Sequence, residues 1–158
     1  MKDYPHWRKE DFEILATTHT YKDMARVALR ILERIPGPVV QVCGPLTTGG
    51  RGSLEENLKM FDQGVQLLVA QGKNVFDQRP FEEPMQRLKI LLPKGEYAVE
   101  ILDDFYLPVF ESGLIHELHF LPGWQESRGA RWEYEQAQRL GISIHHLPEE
   151  LSLLSSRF

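Results

Sequence analysis

From Leu114 to Ile144 the sequence spells out a strand, a turn, a capped helix and a second strand, an order typical of mostly parallel α/β sheets. Leu114 to Leu121 is apolar enough for a strand, and Pro122-Gly123 signals a turn. Ser127 is a good N-cap for a helix that runs to Gly141, the residue expected just past its end. Ile142 to Ile144 then reads as the next strand. At about 100° per residue, Ala130, Tyr134, Ala137 and Leu140 fall on one arc of the helix, the arc that should face a sheet. Glu133 lies inside that arc.

A carboxylate on a buried stripe, less than two turns from a helix N-terminus, is costly unless something outside the apolar core compensates for it. Either a neighbouring Arg or backbone N–H satisfies it, or a ligand does. Both readings stay open on periodicity alone, since structural ion pairs perturb carboxylates as readily as active sites do. Arg131 and Glu135 project outward and need no such explanation.

The upstream half repeats the pattern. Thr20 to Asp23 is a capping-box pattern, after which Met24, Val27, Ala28, Ile31 and Leu32 recur at helical spacing up to Pro36. A shorter helix is predicted from Lys9 to Ala16. Val39-Val40-Gln41-Val42-Cys43, bounded by turn residues, reads as a buried parallel strand. Gly44 to Ser53 is a glycine-rich loop, and Ser53 with Glu56 forms a second capping box before a helix carrying Leu54, Leu58, Phe61, Val65 and Leu68 on one face.

Strand, glycine-rich loop and helix N-terminus place backbone N–H groups where an anion or a sugar hydroxyl can sit. Gly44, Pro45, Thr47, Gly49, Gly50 and Arg51 are the candidate contacts. Neither familiar nucleotide fingerprint is met: Gly50-Arg51 stands where a P-loop needs Lys-Ser or Lys-Thr, and Leu54 or Glu55 stands where a dinucleotide motif needs its third glycine. A plain connection without a ligand is the other reading.

Asn74-Val75-Phe76 begins a further short strand. Asp77 to Gly95 is a long connection with a helical stretch from Met85 to Leu92, of a length that often serves as a lid or an oligomer contact. Ala98 to Phe110 reads as a helix that Pro108 kinks or breaks. Asp103, Asp104 and Tyr106 lie near its middle, where such side chains are ordinarily just solvated. His116 and Glu117 are unusual polar residues at the start of the Leu114 to Leu121 strand. No metal site is expected, because His116, Glu117 and His119 on one strand cannot all point to the same side. Leu147 to Phe158 is a polar, leucine-containing tail with helical character.

Strands alternating with amphipathic helices predict an α/β fold: one Rossmann-like domain, with a small, mostly parallel sheet and helices on both faces. Residues 1–37 form a helical extension in this reading, 38–147 the α/β domain and 148–158 the tail. Ligands of such sheets bind beyond the carboxyl ends of the strands, where the loop after Cys43 and the Pro122 to Ser127 turn converge. The formal charge of -5 and scattered basic residues argue against a nucleic-acid partner. Cys43 is the one cysteine, so it has no disulfide partner in the chain and reads as a core residue. With no apolar leader at the N-terminus and no stretch near the roughly 18 apolar residues of a membrane span, the expected setting is cytoplasmic, with no membrane partner.

Val42-Cys43-Gly44-Pro45, a following helix with Asn57 and Phe61, and then Leu121-Pro122-Gly123-Trp124 with Ser127, Gly129, Ala130, Glu133, Ala137 and Gly141-Ile142 make up a pattern. It resembles the nucleoside 2-deoxyribosyltransferase-like superfamily over roughly residues 38 to 146. The most specific part is Ser-x-Gly-x-x-x-Glu on a helix, matched by Ser127, Gly129 and Glu133. The Pro-Gly-Trp turn is similar to that of an uncharacterised branch of the group.

The resemblance implies cleavage of the N-glycosidic bond of a nucleoside or nucleoside 5′-monophosphate, by transfer or hydrolysis, with Glu133 as the nucleophile. It implies that Gly129 and Ala130 keep the helix N-terminus bare for the sugar, and that Ser127, helped by Arg128 or Arg51, holds a 5′-phosphate. Relatives commonly carry an Asp at the start of the strand before the Pro-Gly-Trp turn; His116 and Glu117 stand there instead. His116 thus becomes a candidate substrate contact, and Asp103 and Tyr106 become the candidates for work on the base. A homo-oligomer is implied, with outward-facing Trp132 suited to the contact, and neither a cofactor nor a metal. The competing expectation is a non-catalytic module that binds a nucleotide or sugar phosphate as a signal. A third is a scaffold that uses its N-terminal extension.

Overall fold

A computed structural model describes residues 4–45, 54–90 and 99–151. In chain order the elements are α1 (Lys9–Ala16), α2 (Tyr21–Arg34), β1 (Val39–Cys43), α3 (Leu54–Ala70), β2 (Asn74–Val75), α4 (Glu82–Lys89), α5 (Leu107–Glu111), β3 (Glu117–Phe120), α6 (Arg128–Leu140) and β4 (Ser143–His146). The fold is α/β and Rossmann-like: four strands in the order β2-β1-β3-β4, every pairing parallel. Two compact units divide the chain, Met1–Pro36 with Phe76–Leu114 and Gly37–Val75 with Ile115–Phe158.

The second unit holds the sheet. All five residues of β1 are buried, as a β-branched run between two parallel neighbours should be. Alternation then sorts its side chains by face. Val40 and Val42 enter a core with Met60, Phe61, Val65 and Leu68 of α3, and Leu121, Leu147 and Leu151 join them. At Gly64 the helix comes close, and a Cβ there would lie 3.1 Å from both Leu121 and Leu147. Gln41 and Cys43 point to the other face, toward α6. There Ala130, Glu133 and Ala137 are the buried residues, the arc expected from periodicity.

In this unit two strands differ from expectation. The last strand spans Ser143–His146 rather than Ile142 to Ile144, because the Ile142 N–H is committed to the helix end, bonding the Ala137 carbonyl at 3.0 Å. The ladder then runs on through His145 and His146, which pair with His119 and Phe120. Strand β3 is shorter than Leu114 to Leu121, although the His116 and Leu121 N–H groups continue its bonding to Val39 and Cys43 carbonyls. The Leu147 N–H reaches the Phe120 carbonyl at 2.8 Å, so the start of the tail docks through buried Leu147 and Leu151. The first member of the Ser53–Glu56 capping box lies outside the described residues.

The first unit is helical around an aromatic core. Helix α1 occupies its predicted span, and Thr20 caps α2 by accepting the Asp23 N–H. Arg34 of α2 pairs with Asp11 of α1, which is almost fully buried and also accepts the Arg8 N–H at 2.8 Å. Phe81 packs between Trp7 and Phe105, with ring centroids 5.0 and 4.8 Å away. Helix α4 begins at Glu82, three residues before its predicted start, behind a 3-10 turn opened by Arg79-Pro80. The helix expected from Ala98 to Phe110 is present over residues 99–111, but its middle, Ile101–Tyr106, is wound as a π turn that passes directly into α5. Pro108 explains the change: it brings no N–H and crowds the preceding turn, and just before it the Leu107 N–H reaches back five residues to the Leu102 carbonyl.

Candidate functional site

The strand order reverses between β1 and β3. From there β1 leads through α3 to β2 on one side, and β3 leads through α6 to β4 on the other. Such a reversal opens a crevice at the carboxyl ends of the two central strands. Here the floor of that crevice is tight: the Leu121 N–H bonds the Cys43 carbonyl at 2.8 Å, and Gly44 lies directly on the Leu121 side chain. A Cβ at Gly44 would stand 2.7 Å from Leu121 Cδ1 and 2.9 Å from its Cβ. Gly44 therefore has a packing role at the strand exit. Gly44→Ala is expected to destabilise the chain by about 1–3 kcal/mol through overpacking, read as a lowered urea midpoint at unchanged slope.

Glu133 lies against this exit. Ser127 caps α6, its Oγ accepting the Ala130 N–H at 3.2 Å, and the helix carries Glu133 to a position where it is 7% exposed. Glu133 Oε2 accepts from the Gln41 amide at 3.1 Å and stands 3.4 Å from Cys43 Sγ. Burial, reinforced by the charge of Glu133 and its hydrogen bond, raises the Cys43 thiol well above its ordinary 9.0, against a smaller opposing hydrogen bond from Gln41. Cys43 is therefore a thiol at neutral pH and donates to the carboxylate. Two uncharged donors thus fix one oxygen of Glu133. Among the described residues, the buried Gln41 Oε1 accepts no hydrogen bond.

The raised thiol has a consequence for stability. Between the unfolded and folded pKa values the native chain holds a proton that the unfolded chain has released, so stability falls as pH rises. Above pH 9.0 the Cys43 contribution should decline by about 1.4 kcal/mol per pH unit. Denaturant unfolding from pH 8 to 10, compared with Cys43→Ala, isolates that slope.

The remaining predicted residues are distributed as follows. Pro45 is buried at the start of the loop; Thr47, Gly49, Gly50 and Arg51 lie outside the described residues. Arg128 is exposed and Gly129 half-buried in the first turn of α6, and Trp132 is half-buried rather than fully outward. His116 is exposed where the chain enters β3, the end of the sheet away from Leu121, and its Nδ1 accepts the Val39 N–H at 2.9 Å. That bond gives it a backbone-capping role. Asp103 and Tyr106 belong to the first unit's π turn, Asp103 exposed and Tyr106 edge-on to Phe105. The Pro-Gly-Trp turn uses a left-handed Gly123 (φ 81°) to bring Trp124 flat against Tyr134 of α6, at 4.6 Å between centroids.

Sequence reading missed Gln41 as a partner of Glu133. Its signal was a lone amide in an otherwise apolar buried strand, which requires a polar partner on the facing element. It also missed a cluster on the opposite face of the sheet. Glu117 and His119 alternate onto one side of β3, and His145 faces them from β4. His119 Nε2 lies 2.8 Å and His145 Nε2 3.6 Å from Glu117 Oε1, and the Lys73 ammonium stands 3.8 Å from the same oxygen. Burial lowers the His119 pKa, against the opposing effect of its hydrogen bond to Glu117. For Glu117, burial raises the pKa, but His119, Lys73 and His145 together outweigh it and hold the group below the usual range.

A family model described as "Domain of unknown function (DUF4406)" matches residues 38–146. No curated protein and no solved structure matches the chain.

Proposed function

We propose a function for a chain that belongs to the DUF4406 family: cleavage of the N-glycosidic bond of a nucleoside or nucleoside 5′-monophosphate, with Glu133 as the nucleophile. The observation that carries this reading is the placement of one carboxylate, buried on the sheet side of α6 and held against the exit of β1 where the strand order reverses. An oxocarbenium-like transition state calls for a carboxylate at the anomeric carbon. Resemblance to the nucleoside 2-deoxyribosyltransferase-like superfamily, through Ser127, Gly129 and Glu133, supports the same chemistry.

In this mechanism a Glu133 oxygen bonds the anomeric carbon as the C–N bond breaks. The base departs with the bonding pair and takes a proton from solvent, which the incoming water or second base gives back in the next step. Water, or a second base, then attacks the anomeric carbon of the glycosyl ester and restores the carboxylate. Gln41 orients Glu133 by donating to Oε2 throughout. Cys43, kept protonated by burial, donates to the same oxygen and does not compete as a nucleophile. At the N-terminus of α6, the first-turn N–H groups and the Ser127 hydroxyl favour a 5′-phosphate, assisted by Arg128. Assembly into a homo-oligomer is part of the same reading.

Incubation with a panel of ribo- and deoxyribonucleosides and their 5′-monophosphates, followed by chromatography of free base, is the test. Release from at least one class is expected. Inactivity on every member, accompanied by thermal stabilisation from a nucleotide, would instead favour a module that binds without chemistry; ligand at 100 times its dissociation constant adds about 2.7 kcal/mol.

A further inference from the structure

We propose that Glu117, His119 and His145 bind a divalent transition-metal ion of the zinc type on the β3–β4 face of the sheet. The backbone register assembles the three donors. Glu117 and His119 are two residues apart on β3, and parallel pairing sets His145 directly beside His119 and Ser143 beside Glu117. The His119 and His145 rings lie nearly parallel, 4.6 Å apart, and the three ligand atoms all fall within 4.8 Å of one another. Metal bonds of about 2.0–2.2 Å at tetrahedral angles hold neighbouring ligand atoms roughly 3.3–3.6 Å apart. The separations of 2.8 and 3.6 Å from Glu117 Oε1 bracket that range, and with all three ligand atoms within 4.8 Å of one another, closing the shell asks for shifts of about an ångström.

The donor set selects the ion class. Two imidazoles and one carboxylate suit zinc and its first-row neighbours, whereas calcium and magnesium prefer oxygen-only shells. Three protein ligands leave a fourth position, and it opens to solvent: His145 is 44% exposed while Glu117 and His119 are largely covered. Two groups now occupy places that the ion would take. The Ser143 hydroxyl bonds His145 Nε2 at 2.9 Å and must turn aside, and the Lys73 ammonium near Glu117 supplies the positive charge that the metal would replace. This face is opposite to the one that carries Gln41, Cys43 and Glu133, so the inference stands apart from the glycosidase reading.

The test is titration of the full chain, free of any affinity tag and stripped with a chelator, with Co²⁺. Its visible d–d absorption intensifies when coordination falls below six. One equivalent is expected to give a saturable band that Zn²⁺ abolishes. His145→Ala, at an exposed position of β4, should weaken binding by at least about a hundredfold, beyond what loss of an outer-shell partner costs. Lys73→Met should tighten it about fivefold by removing a competing charge near 4 Å. Absence of a saturable band overturns the proposal, as does an unchanged titration in the Glu117→Gln/His145→Ala double variant with native circular dichroism.

Discussion

Glu133→Gln is expected to reduce base release by at least about a thousandfold while the chain stays folded. Glutamine keeps the shape of the side chain, and its carbonyl oxygen can still accept from the Gln41 amide and the Cys43 thiol that now meet Glu133 Oε2. On the proposed mechanism, what disappears is the negative charge that the transition state requires and the oxygen that would form the glycosyl ester. Circular dichroism and the urea midpoint should therefore move little, in contrast to the activity. A variant that released base at the wild-type rate would place the nucleophile elsewhere. Glu133→Ala is the less informative change, since it also opens a cavity against β1 and mixes packing loss with chemical loss.

The largest effect on stability is expected in the first unit. Asp77 is fully buried, and its two oxygens accept from the Arg79 backbone N–H at 3.1 Å, from Nε at 2.9 Å and from Nη2 at 2.6 Å. The Asp77 carbonyl also accepts the Trp7 indole N–H at 2.8 Å, which ties the pair to the aromatic core. Asp77→Ala removes the carboxylate from beside a guanidinium that is itself almost fully buried. Breaking one half of such a pair costs about 3–5 kcal/mol, because the remaining charge has left water without full compensation. Urea unfolding should show the loss directly. Asp77→Asn, which keeps one oxygen to accept from the Arg79 backbone N–H and Nε but turns an NH2 donor toward Nη2, should cost less than the alanine.

Much of the architecture was legible because it rests on short-range rules. Periodicity and capping located α1, α2 and α6, and the β-branched run from Val39 to Cys43 marked the central strand. Glu133 could be singled out from its place on an apolar arc. Its partners could not, since Gln41 and Cys43 stand about ninety residues away and only strand register brings them under α6. The Glu117, His119 and His145 cluster was hidden for the same reason: comparison of donors along one strand left out the neighbour across the ladder. His116 accepts a backbone N–H, a partner that its residue type does not announce. Pro108 marks a disturbance in its helix, but the residue type alone does not specify a widened turn.

The contact between Gly44 and Leu121 sets a limit on how the crevice can work. With the two central exits touching, nothing can wedge β1 and β3 apart without breaking the seam that roots Glu133's neighbours. A ligand bound there as proposed would then be met by adjustment of the walls, such as the Pro122 to Glu126 turn and the opening residues of α6, while the base of the cleft stays a fixed reference for the carboxylate.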